Sequence, residues 1–426
     1  MGGYLAYTEY KESGSEWLGE IPTHWKSLMI KRLTTVKRGA SPRPIDDPKY
    51  FDEAGEYSWV RIADVTASDR YLLDTTQSLS ELGKSWSIPL ESGDIFLSIA
   101  GSVGKPIITK IKCCIHDGFV YFPTLQENNE FLYYVFSSGQ PYLGLGKLGT
   151  QLNLNTDTVG RIYNGLHTYA EQQKIVDILD YKTPQIHALL AKKAALLEKL
   201  AETRTALISQ AVTKGLDSTI ERKASGIKWL GEIPEHWKLL PVKYAVTFQR
   251  GHDLPSDNRI EGDIPLVSSS GISGRHITAV AKGPGIVTGR YGTIGKFTYV
   301  QEDYWPLNTT LYSIRTFDND IKFLWYMMHN LSELFVLNSQ KSAVPGVDRN
   351  DLHPVTIALP PTAEQSKIAH FLGKQVTKIA SQRAKIKAAI ERLKEYRTTL
   401  ITNAVTGKID VRNIQLPQST HAEATP

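Results

Sequence analysis

The stretch WLGEIPTHWK, Trp17 to Lys26, returns as WLGEIPEHWK, Trp229 to Lys238, with one difference, Thr23 against Glu235. Agreement at that level does not arise by chance, so the chain carries an internal repeat. Two further pairs bound it. EQQKIVDIL from Glu171 returns as EQSKIAHFL from Glu364, and RTALISQAVTKGLD from Arg204 returns as RTTLITNAVTGKID from Arg397. Between these anchors the likeness fades to GDIFLSIAGSVGK (Gly93 to Lys105) beside PGIVTGRYGTIGK (Pro284 to Lys296), plus an Asn- and Asp-rich stretch before each Glu-Gln box. The halves share a scaffold and differ in content.

After each Glu-Gln box the pattern is that of a long helix. Leu372, Ile379, Ile386, Leu393 and Leu400 recur every seventh position, with Val376, Ile390 and Ala404 in a second row; this is the seam spacing of a coiled coil. The first half places Leu179, Ile186, Lys193, Leu200 and Leu207 in the same register, so Lys193 interrupts the seam, and Leu190, Leu197 and Ala211 form its second row. The two helices are built to pair. About 33 residues at ~1.5 Å each give rods of roughly 50 Å. Gly215 and Gly407 are plausible stops. From Tyr181 to Lys214 the net charge is +4, and from Lys374 to Lys408 it is +7, more than the +5 of the whole chain. Either these are solvated faces, or they attract DNA phosphates or an acidic partner.

The segments between the helices mix short strands (Tyr57 to Ile62, DIFLSI, PIITKI and the run from Phe119) with amphipathic helices (FLYYVFSS and IKFLWYMMHNLSELF). Each is read as an α+β globule. The expected division is 1–165 and 218–358 for the globules, 166–217 and 359–412 for the helical regions, and 413–426 for a tail with too little to bury to be ordered.

A chain of 426 residues with 41% apolar composition has room for two to four domains. No apolar run approaches ~18 residues and the start lacks a leader pattern, so a cytoplasmic location is expected. Cys113 and Cys114, the only cysteines, are neighbours, a spacing that suits neither an ordinary disulfide nor a zinc site.

The sequence carries no familiar catalytic pattern. A methyltransferase needs a glycine-rich cofactor loop after a strand and an Asn/Asp-Pro-Pro-aromatic box; LPPT (Leu359 to Thr362) lacks both flanks of that box, and Gly144-Leu-Gly146 has no strand ahead of it. The two Gly-Lys loops fail the phosphate-loop pattern, since Pro106 and Phe297 stand where Ser or Thr would hold magnesium. They are tight turns, either structural or placing Lys105 and Lys296 on DNA phosphate. Asp320-Ile-Lys322 is a triplet common on surfaces, and the histidines show no metal spacing. His24 and His236, at equal places in the Trp boxes, suggest a structural task, and Trp17, Trp25, Trp229 and Trp237 are read as packing anchors.

Two divergent globules alternating with two matching heptad helices, each unit opened by WLGEIPxHW and carrying an EQxKI box, closely resemble the specificity subunits of Type I restriction-modification systems, over residues 5 to 412. The resemblance implies an α+β fold in which two target-recognition domains alternate with helices that pair as an antiparallel coiled coil, with pseudo-two-fold symmetry. It implies that the first Trp box lies near the end of the second helix and the second near the end of the first. It further implies a non-catalytic subunit that binds double-stranded DNA, two methyltransferase subunits and two restriction/translocase subunits. S-adenosylmethionine, ATP and magnesium would then sit on those partners and none on this chain. Each globule would read half of an asymmetric split target, with half-sites roughly one helical turn, ~10 base pairs, apart.

Base edges are read mostly by Arg, Lys, Asn, Gln and aromatic side chains. The candidates are Lys37, Arg38, Arg43, Arg61, Arg70 and Lys105 in the first globule, and Arg250, His252, Arg259, Arg275, His276, Arg290, Tyr291, Lys296 and Arg349 in the second. Removing the second helix from Gly373 is expected to abolish assembly with the methyltransferase and to leave the first globule folded. Alternatives are a methylation-only system, a fused restriction-modification enzyme, which would need hundreds of further residues, and a purely structural coiled-coil protein.

Overall fold

The long helices begin at the Glu-Gln boxes themselves, as Tyr169–Lys214 (46 residues) and Thr362–Val405 (44 residues), and so exceed the length the heptads alone predict. The structure, a computed structural model, describes residues 4–143, 145, 154–339 and 346–417. Gly144 and Gly146, and the tail from 418, lie outside the described residues. Two units divide the chain: Met1–Lys192 with Ala389–Pro426, and Lys193–Ala388. Both long helices run through both units.

In the first unit Ile175, Val176, Ile178, Leu179 and Ile186 share a core with Leu400, Ile401, Ala404 and Val405, with Leu190 and Leu393 packed against it. In the second, Ile208, Ala211 and Val212 share a core with Ile368, Ala369 and Leu372, flanked by Leu207 and Val376. In each unit the beginning of one helix meets the end of the other, so the pairing is antiparallel. Ile379 is buried, and Leu197, Leu200, Ile386 and Ile390 are half-buried in a stretch of largely exposed residues, as expected for a seam only two helices wide. Gly215 and Gly407 follow the helix ends at φ +74° and +71°, conformations that cost a side-chain-bearing residue about 1 kcal/mol or more.

Each globule is built on a matching antiparallel sheet. In the first the strand order is Lys37–Arg38, Phe119–Tyr121, Ile95–Ser98, Pro106–Thr109, with Tyr71–Leu72 added in parallel; in the second it is Thr247–Arg250, Thr310–Arg315, Gly285–Gly289, Phe297–Val300. A second, smaller sheet joins each: four strands around Tyr57–Val60 and Cys113–Ile115, and three around Ile264–Ser268. Both cysteines are buried and free, and burial pushes both thiols up to about 12.

One helix of each globule, Asn129–Ser137 and Ile321–Asn330, is capped by Asn128 and Asp320, whose side chains accept from the first free backbone N–H groups. The same two cap residues donate their own backbone N–H to Gln172 Oε1 (3.0 Å) and Gln365 Oε1 (2.9 Å). The box glutamines therefore fasten each globule to its long helix.

Three expectations change. Tyr57–Val60 stops before Arg61, which opens the short helix Ile62–Ala67. The predicted helix from Ile321 breaks at Leu331 and resumes as Ser332–Ser339. Ile414 and Leu416 pack against the first core, so the expected tail is anchored at its start.

Candidate nucleic-acid interface

The Trp boxes set the frame. In the first unit Glu171 accepts hydrogen bonds from Trp25 Nε1 (3.1 Å), Tyr7 Oη (2.5 Å) and His24 Nε2 (3.1 Å). In the second, Glu364 accepts from Trp237 Nε1 (3.2 Å) and His236 Nε2 (2.8 Å). Burial alone would raise the Glu171 carboxyl, but the hydrogen bonds from Tyr7 and Trp25 outweigh it and hold it below its ordinary value. Trp25 and Trp237 are fully buried, while Trp17 and Trp229 are half-buried and pack against the same cores; Trp17 Nε1 donates to the Tyr163 carbonyl. The first box packs on Leu400, Ile401 and Val405 and the second on Ile208 and Val212. Each box thus meets the end of the helix from the opposite half of the sequence.

On this frame the two sheets present corresponding ends. Gly39 donates its N–H to the Phe119 carbonyl, and Gly251 does the same to Thr310 (both 2.9 Å). A Cβ on either glycine would lie 2.2 Å from a backbone oxygen, that of His116 or Leu307, so the close approach demands glycine in both. The residue before each is arginine, Arg38 or Arg250. Beyond that point the ends differ.

In the first globule Asp117 gathers the loop: the Arg38 guanidinium donates to its carbonyl, and Ser41 Oγ (3.2 Å) and Arg43 (3.1 Å) reach its carboxylate. His116, its pKa lowered by burial, accepts from the Gly118 N–H at 2.8 Å. Lys37 is exposed on the edge strand and has no polar partner among the described residues. The other three candidates are engaged in the fold. Lys105 Nζ donates to the carbonyls of Thr66 (3.2 Å) and Ser68 (2.5 Å), tying down the end of the helix Ile62–Ala67. Arg61 is half-buried, its backbone held by Asp64 and its guanidinium by Thr76. Arg70, whose side chain is 13% exposed, pairs with Glu130 and with Asp180 at 2.5 Å among three tyrosine rings. It binds the globule to the first long helix rather than facing solvent.

In the second globule the end carries Arg250, His252, Arg290, Tyr291 and Arg349. Arg250 is exposed and unpaired among the described residues; His252 Nε2 lies 3.0 Å from Tyr312 Oη. Arg290 donates its backbone N–H to Thr309 and accepts from Val347 (both 2.9 Å), which brings Arg349 beside it. Its side chain is 14% exposed, pairs with Asp348 at 3.4 Å and lies over the exposed Tyr291 ring. Arg349, exposed, opens the helix Arg349–Leu352. The remaining candidates are held against nearby backbone or buried, Lys296 in the same loop as Arg290 and Tyr291. Arg259 and Arg275 are exposed but fold back on the carbonyls of Leu254 and Asp263, and Lys296 donates to the Ser270 carbonyl. His276 is buried, holds the Ile260 carbonyl at 3.0 Å and packs on Trp305; it is a core histidine.

The residues that the sequence did not offer are the organisers: Asp117, Asp253, which accepts from Asn308, and Asp348. Acids that orient arginines give no local signal, because their partners lie far along the chain. Among the described residues no cluster of His, Cys, Asp or Glu could hold a metal ion, and no helix is long and apolar enough to cross a membrane.

Comparison with known proteins follows this division. A solved chain from a study of complex assembly and conformational transition of the type I R-M system has a TM-score of 0.73 at 15% identity, covering 91% of this chain and 99% of that one. The HsdS subunit from Thermoanaerobacter tengcongensis gives 0.54 at 16% identity, covering 91% and 98%. The EcoDI specificity subunit of Escherichia coli is 25% identical over 88 residues, 21% of this chain and only 20% of that protein's length. The model of the Type I restriction modification DNA specificity domain matches residues 22–199 and again 237–392. With each half matched from its Trp box into its long helix, the chain belongs to the Type I restriction-modification DNA specificity family.

Proposed function

We propose that this chain is the non-catalytic specificity subunit of a Type I restriction-modification complex. Each globule reads one half of an asymmetric, bipartite DNA target from the sheet end described above. The observation that carries this reading is the pair of matching sheet ends, alike in backbone and glycine but with different side chains directly after the glycine, Ala40, Ser41 and Pro42 against His252, Asp253 and Leu254. A shared backbone with different side chains suits two readers of different sequence. The Trp and Glu-Gln boxes, alike in both units, suit two identical partners, the methyltransferase subunits, and the length of the helix pair sets the number of unread bases. Methylation of adenine, and restriction of unmodified DNA by nuclease and translocase subunits, would use S-adenosylmethionine, ATP and magnesium bound by those partners.

The test is a base-resolution map of adenine methylation in cells carrying the cognate methyltransferase subunit, with and without this chain. A split motif that appears only with the chain is expected, and exchanging one globule should change one half of it. Unchanged methylation with both proteins expressed would remove the reading. Within the motif, Arg250→Ala should relax one position of the second half-site by about 1–3 kcal/mol, while Arg275→Ala should leave the motif unchanged.

A further inference from the structure

On the helix pair within the second unit, Arg204, Arg383 and Lys387 line a groove of about 450 Å³ with Ile379, Ala380 and Ala384. No carboxylate lines it. None of the three cations forms a hydrogen bond or ion pair among the described residues, and Arg204 and Arg383 are half-buried at seam positions where apolar residues are the rule. Half-buried guanidinium groups without an acid are costly to maintain unless an anion completes them. The nearby His329, packed on Trp325, has its pKa lowered to about 4 by burial and by the Arg204 charge, so it stays neutral and adds no charge to the groove.

The repeat shows that this groove occurs once. By the register that aligns Glu171 with Glu364, Arg204 corresponds to Arg397, but Arg383 and Lys387 correspond to Leu190 and Ala194, and Ile379 to Ile186. Arg397 lines a different cavity, which also holds Asp64, Asp69, Asp74 and Asp180. Surfaces for two identical partners would be built from what the halves share. A cation groove found in one half only suits a ligand present once per complex.

We propose that Arg204, Arg383 and Lys387 form an anion-binding groove that holds the phosphate backbone of the bound duplex, adding affinity without sequence preference. The proposal rests on the DNA-reading function above. Each phosphate neutralised makes log K fall more steeply with log salt by about 0.9. Three contacts therefore account for roughly 40-fold of the affinity lost between 50 and 200 mM salt.

The experiment uses the full chain assembled with its methyltransferase subunits, titrated with target and non-target duplexes across that salt range. Arg204→Gln/Arg383→Gln/Lys387→Gln should flatten the salt slope by about 2–3, equally for both duplexes, with the methylated motif unchanged. The charge-keeping variant Arg204→Lys/Arg383→Lys/Lys387→Arg should retain the slope. Lys387→Gln alone, at an exposed position, should remove about one unit and covers the case in which the triple variant does not fold. An unchanged slope in an assembled triple variant, or in Lys387→Gln, overturns the proposal. Lost assembly with an unchanged slope per assembled complex also overturns it and assigns the groove to an acidic protein surface. If the unaltered complex shows no sequence-specific binding, the function proposed above fails first.

Discussion

His167 lies flat on the buried Trp25 ring, 3.9 Å between centroids, and its Nδ1 is 2.9 Å from the Gly165 carbonyl. Its Nε2 is buried without a partner, so a second proton would have nowhere to donate. Burial is the leading reason its pKa falls from 6.5 to about 4, with the Glu171 charge opposing the shift. The sign follows from linkage: below pH 6.5 the unfolded chain takes up a proton that the folded chain refuses until about pH 4, so stability is lost across that window as pH falls. Urea melts should show a loss of about 2 kcal/mol between pH 7 and 5 from this group. His167→Phe, which keeps the stack, should remove most of it; an unaltered pH profile in that variant would mean that His167 protonates freely in the fold. The neighbouring carboxylate separates the two units at the same scale. Glu171→Ala orphans the buried donors of Trp25 and Tyr7, at a cost of about 2–4 kcal/mol. Glu364 serves the Trp237 indole and a half-exposed histidine, so Glu364→Ala should cost about 1–2 kcal/mol in the same melts.

At the scale of elements, the long helices show what a sequence can and cannot reveal. The seam was legible because an apolar residue every seventh position is a local pattern, and the repeat doubled the signal. The starts of the helices were not, because Glu171, Gln172 and Gln365 look like surface residues and are buried only through partners in the Trp boxes and in the caps at Asn128 and Asp320. The same limit hid the inward turn of Arg70, whose partners Glu130 and Asp180 lie 60 and 110 positions away. It hid that of Arg290, whose partner Asp348 is 58 away. Sequence marks which residue types suit DNA, and tertiary pairing decides which of them face it. Lys193 tests the seam directly. It is half-buried between exposed Lys192 and Ala194, so its stem covers apolar surface while its charge weakens the layer. Lys193→Leu should raise stability by up to about 1 kcal/mol in thermal melts; a lower melting temperature would show that the charge itself is used at that layer.

At the scale of the whole molecule, the first unit draws its core from both ends of the chain. Leu18, Ile21, Trp25, Ile30, Phe131 and Val159 pack with Leu400, Ile401, Val405, Ile409 and Val411, and Asp410 donates its backbone N–H to the Leu5 carbonyl. The second unit is drawn from one continuous segment, and the fully buried part of its core takes the second helix only as far as Leu372, with Val376 packed against it. Truncation from Gly373 therefore acts on the globule whose own sequence it leaves untouched, against the expectation that the first globule stays folded. The five large apolar residues lost, at about 1.5–3 kcal/mol each, represent on the order of 10 kcal/mol, as much as an entire domain's net stability. A separate cluster of the first globule, with Val60, Val65, Phe96, Ile107 and Phe119, makes no use of the helices and should persist longest. Hydrogen exchange on the chain ending at Leu372 should show protection lost around Ile30, Phe131 and Ile175, and kept around Ile286 and Phe323. Equal protection at Phe131 in the truncated and full chains would mean that the globule closes its core without the distant helix, and that the boundary between the units falls inside the sequence order after all.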